Sequence, residues 1–187
     1  MKWVGASLLG LVIVGFATPA AAQDTPKAEV SVGYNWFGAK QSGESDWSKF
    51  PKGWYADVAG NVSDTLSIVG QVTGNYKTFE DESKTNIYSF MAGIRGSSPG
   101  RVRGFGQVLL GGVRIKDDDV VLGEATETDF AVQLGGGVNV LGSGGVGLRL
   151  GVDYLRIMAK DAGLVLGGGD VNGFRFNIGV TFGIGSR

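Results

Sequence analysis

The chain has 187 residues, a formal net charge of −1, and neither His nor Cys. One domain fits that length, and the lack of any basic excess argues against nucleic acid as a partner. A Ser-His-acid hydrolase, an Asp-His protease and any zinc site built on His or Cys are excluded outright.

The chain opens with an export signal. Met1-Lys2 is a short positive segment, Val4 to Phe16 is apolar apart from Gly and Ser, and Ala20-Ala21-Ala22 is a small-residue cleavage site before Gln23. The apolar run is shorter than the roughly 18 residues that a spanning helix needs. Residues 1–22 are therefore expected to be a cleaved signal peptide and residues 23–187 a single β-barrel domain. Zero Cys fits an exported protein that holds its fold without disulfides.

Beyond Gln23 one rule recurs: apolar residues at every second position, with small, polar or charged residues between them. Eight strands follow, at about 28–37, 53–63, 65–77, 85–96, 101–115, 128–141, 145–158 and 172–184. Phe174, Phe176, Ile178, Val180 and Phe182 share one face of the last, and Arg175, Asn177, Gly179 and Thr181 share the other. The connections alternate in length. Ser63-Asp64, Gly96 to Gly100 and Gly142-Ser143-Gly144 are tight turns, whereas 38–52, 78–84, 116–127 and 159–171 are longer loops. Short turns at one end and long loops at the other is the plan of an all-β, eight-stranded antiparallel up-and-down transmembrane β-barrel in the bacterial outer membrane. An even strand number puts both termini in the periplasm.

A soluble barrel with an apolar cavity would invert the two faces, and bulk decides against it. An eight-stranded interior is just wide enough for packed side chains, so the apolar face, with residues such as Val30, Val32, Leu66, Ile68, Phe90, Leu148 and Leu150, fits better against lipid. The opposite face carries Glu29, Asp57, Gln71, Arg95, Arg103, Gln107, Gln133, Arg149, Asp153 and Arg175 amid Gly, Ala, Ser and Asn. These charges nearly balance, and a lumen network in which they pair makes their burial tolerable. The 34 Gly leave room for such side chains and for the coiling that closure demands. Tyr34, Trp36, Trp54, Tyr76, Tyr88, Phe130, Tyr154 and Phe174 gather at the loop ends as an interfacial aromatic girdle.

Three stretches then carry a family resemblance: Phe105 to Gly112, Phe130 to Val138, and Leu148 to Tyr154. With these in order, the chain resembles the small outer-membrane β-barrel family typified by the OmpA transmembrane domain and OmpX. The resemblance covers essentially all of residues 23–187 and implies insertion by the outer-membrane assembly machinery. Members commonly finish on an aromatic residue, whereas here Phe182 is followed by Gly183-Ile184-Gly185-Ser186-Arg187.

No nucleophile is paired with a base in a recognisable motif. Asp153 with Arg149 and Glu29 with Arg175 are possible ion pairs, read as structural filling of the lumen and not as a catalytic site. The third loop carries six acids, Asp117, Asp118, Asp119, Glu124, Glu127 and Asp129, against Lys116. Their spacing lacks the ligand order of a calcium loop, so a solvated hairpin tip is preferred to a divalent-cation site. The first loop offers Trp47, Phe50 and Pro51, and the fourth an apolar tip at Leu164-Val165-Leu166. The expectation is a monomeric, non-enzymatic barrel without cofactor or metal that stabilises the envelope or presents its loops. Its partners would be outer-membrane lipids and lipopolysaccharide. The alternative is a narrow porin-like pore or small-ligand conduit.

Overall fold

Strict alternation of side chains leaves each segment one way to satisfy its backbone next to lipid, which is to pair with neighbours on both sides. The computed structural model shows that arrangement and describes residues 25–41, 46–78, 84–119, 123–142, 144–158 and 169–186. The expected signal peptide and the Leu164-Val165-Leu166 tip lie outside the described residues.

Nine strands occur among the described residues: β1 (Pro26–Gln41), β2 (Ser48–Phe50), β3 (Lys52–Asn61), β4 (Leu66–Thr78), β5 (Lys84–Ser97), β6 (Val102–Asp119), β7 (Gly123–Leu141), β8 (Val146–Met158) and β9 (Val171–Ser186). Eight of them form the barrel. Each is antiparallel to the next, and β9 closes on β1 from Pro26 opposite Ser186 to Gln41 opposite Val171. The ninth, β2, pairs with the loop end of β1 through Phe37 opposite Phe50.

Two expectations are corrected here. Within the expected 38–52 loop, Ser48-Lys49-Phe50 forms β2, a sequence too short to show alternation. Within the expected 116–127 acidic loop, β6 and β7 remain paired out to Asp119 opposite Gly123. Charged residues placed alternately in and out extend this hairpin past the membrane face, where water tolerates them on both sides.

The turns are short at the end bearing both barrel termini. Ser63 Oγ accepts from the backbone N–H of Leu66 at 3.0 Å, and Gly100 and Gly145 take φ of 109° and 74°, which a side chain would resist. The apolar face points outward, with Ile68, Leu148, Leu150 and Ile178 all more than half exposed.

Candidate functional site

The lumen holds nearly all of the buried polar side chains, and its residues follow from strand parity. On β6 the inward series from turn end to loop end is Arg103, Phe105, Gln107, Leu109, Gly111, Val113 and Ile115. On β8 it is Arg149, Gly151, Asp153, Leu155 and Ile157. Both series change from polar to apolar at a similar level, while buried Asn35, Thr73, Asn75, Ser89 and Asp129 on the other strands keep polar groups in the upper, loop-end half.

All ten polar residues singled out in the sequence, Glu29, Asp57, Gln71, Arg95, Arg103, Gln107, Gln133, Arg149, Asp153 and Arg175, are buried. The barrel brings them together across its bore. Asp57 on β3 is ion-paired with Arg95 on β5 and Arg149 on β8, each at 3.2 Å, and its Oδ1 accepts from both, at 3.3 and 3.4 Å. Arg95 also donates through Nε and Nη2 to Gln107 Oε1, at 3.0 and 2.8 Å. Gln107 passes its own amide to Asp153 Oδ1 at 3.0 Å, and Asn177 donates to Asp153 Oδ2 at 2.6 Å. Nearer the turns, Arg103 on β6 pairs with Glu29 on β1. Gln133 on β7 donates to Gln71 on β4 at 2.7 Å. Because Asp57 with Arg95 and Arg149, Gln107 with Asp153, Glu29 with Arg103 and Gln71 with Gln133 sit on strands that are not neighbours, the network braces opposite walls.

The anticipated pairs are corrected. Glu29 is taken by Arg103 and not by Arg175, and Arg149 by Asp57 and not by Asp153. Arg175 keeps one side-chain hydrogen bond, from Nη1 to Gln133 Oε1 at 3.3 Å, and lies 5.2 Å from the centre of the Phe37 ring. Partners across a bore depend on the stagger of the strands, which no local spacing encodes.

Several lumen residues were missed. Phe105 lies against two cations, with Arg95 and Arg149 at 5.2 and 4.1 Å from its ring centre. Ser31 joins Arg149 to Thr181, and Asn61 donates to Glu29. Their parity with Gln107, Glu29 and Asp57 was the available signal. Gly135 shows why small residues line the wall, because a side chain there would collide with the Asp153 carboxylate and meet Gln107.

The upper lumen corrects the expectation of a polar interior among small residues. Phe37, Phe50, Ile87, Leu109, Val113, Ile115, Leu155 and Ile157 are all buried in one apolar cluster. The signal lay in runs apolar on both faces, such as Val108-Leu109-Leu110.

Of the expected girdle, Tyr34, Trp54, Phe130 and Phe174 are exposed, and Trp36, Tyr76, Tyr88 and Tyr154 are half-buried against neighbours. They touch as a belt: Trp36 packs on Phe176, Tyr154 on Phe174 and Tyr76 on Tyr88. Among the described residues no group of three or more acids gathers where a metal ion could be held.

Comparisons with known proteins agree with this architecture. Neisserial surface protein A superposes with a TM-score of 0.69 at 16% identity, covering 84% of this chain and 97% of that one. Ail, the attachment invasion locus protein of Yersinia pestis, gives 0.59 at 17% identity, covering 84% and 99%. OprG from Pseudomonas aeruginosa gives 0.51 at 10% identity, covering 90% and 100%. Identities this low speak to the fold alone, and no curated protein matches the sequence. The model of the outer membrane protein beta-barrel domain matches residues 8–183, and the chain belongs to that family of the bacterial outer membrane.

Proposed function

We propose that this barrel is a non-enzymatic scaffold of the outer membrane, exported with residues 1–22 as a removable leader, that braces the envelope and holds its loops outward. The observation that carries this reading is the doubly filled lumen. Transluminal ion pairs occupy the turn-end half, and an apolar cluster interleaved with hydrogen bonds between Asn75 and Asn35 and between Thr73 and Ser89 fills the loop-end half. Among the described residues such an interior offers no nucleophile–base pair, and a charged solute entering it would have to displace paired arginines and then pass a closely packed, largely apolar layer.

Planar-bilayer recording of the purified, refolded protein is the test. No steady current is expected, and a steady ion-selective current would replace this reading with the narrow pore. One observation favours that second reading: Tyr55 Oη, Arg149 Nη2 and Arg175 Nε and Nη2 are buried without a protein hydrogen-bond partner and could be met by a file of water.

A further inference from the structure

We propose that the outward, loop-end face of β3–β6 binds the phosphorylated headgroup of an outer-leaflet glycolipid, with Arg114 and Lys116 as phosphate ligands and Lys52 at the flank. This rests on the reading of the chain as an outer-membrane barrel with its loops outside.

Register builds the patch. Arg114 stands opposite Tyr88 and Lys116 opposite Asn86, while Asn86 faces Tyr76 and Tyr76 faces Lys52 on successive strands. All three cations are exposed, and among the described residues none has a salt bridge. Elsewhere on the rim the outward Arg156 is already held by Asp170 at 2.8 Å. Of the acids of β6 and β7, Asp117, Glu127 and Asp129 lie on the inward parity of the same strands, and Thr85 donates to Asp117, whereas Asp118 and Glu124 share the outward parity at the hairpin tip beyond Lys116, where Asp118 stands opposite Lys84. Lys52, Lys84, Arg114 and Lys116 thus outnumber the two outward acids on this wall.

The floor beside these cations is aromatic and fixed. Trp54 Nε1 donates to Tyr76 Oη at 2.9 Å, and Tyr76 meets Tyr88 edge-on at 5.9 Å between centres. Aromatic rings at this position mark the level of lipid headgroups. An Arg at this level gains from an anion beside it, and its planar fork suits a phosphate bidentately while Lys adds a point charge. A lipid is favoured over a soluble phosphate because the site is an outward wall continuous with the apolar belt, where an acyl chain can lie below its own headgroup.

The test uses the refolded full-length protein in detergent, mixed with diphosphorylated lipid A, with its dephosphorylated form, or with inorganic phosphate, and read by native mass spectrometry. Wild type is expected to retain lipid A and not the dephosphorylated form. The triple variant Lys52→Gln, Arg114→Gln, Lys116→Gln should lose retention by about tenfold or more, whereas Arg156→Gln should not change it. If the triple variant fails to fold, Lys116→Gln alone, with an expected severalfold loss, decides. Equal retention by the variant, or equal retention of dephosphorylated lipid, overturns the site. Displacement of lipid A by inorganic phosphate at equal concentration overturns the choice of a lipid. A wild-type protein whose gel mobility is unchanged by boiling overturns the barrel reading itself, whereas a folded barrel without phosphate preference overturns only this inference.

Discussion

Asp57 is the residue on which the lumen most depends. Its carboxylate is shared by Arg95 and Arg149, and the Phe105 ring lies against both guanidinium groups. Asp57→Ala leaves two buried cations without their shared anion and should destabilise the barrel by about 3–5 kcal/mol, measured by urea unfolding in lipid vesicles. Arg175 is the contrasting case, since among the described residues it has no salt bridge and only one side-chain hydrogen bond, with Asp153 opposite it on the neighbouring strand. Arg175→Met should change stability by no more than about 1 kcal/mol in the same assay, because removing a weakly held buried charge also removes its desolvation cost. Parity alone showed in the sequence that both residues face inward. Which acid each arginine meets could not be read, because Asp57 and Arg149 are distant along the chain and non-adjacent in the sheet.

At the scale of elements, β2 matters beyond its length. It folds Phe50 against Phe37 at 5.8 Å between ring centres, at the loop-end mouth of the apolar cluster. Phe50→Ala should cost about 3 kcal/mol by leaving a cavity there, and should leave the heat-dependent gel mobility of the folded barrel intact. The long strands were legible because each outward face is an unbroken apolar series against lipid, as in Leu148, Leu150 and Val152 of β8. β2 was not, because a three-residue strand with a single inward residue has no period. The extended tip of β6 and β7 was also hidden: Asp117, Asp118 and Asp119 look like loop until the ladder opposite them is seen.

For the whole molecule, lipid and not water is the solvent of the outer face, and this predicts an unusual sensitivity. Leu150 faces Ile178 near the middle of the apolar belt, and both are 55% exposed. Leu150→Arg should destabilise the protein in a bilayer by about 2–4 kcal/mol, where a water-facing site would hardly respond; unfolding in vesicles checks it. Conductance tests the other global property, since a lumen filled as this one is should pass no steady current. The sequence by itself determined the strand count of the barrel, the direction of its two faces and the compartment. Those depend on a period of two and on short-range turn chemistry, which are local. Tertiary structure alone decided how the charges pair across the bore, that an apolar cluster forms in the loop-end lumen, and that basic residues gather on one outer wall. Each of these depends on strand stagger and closure, which bring together residues that no local pattern connects.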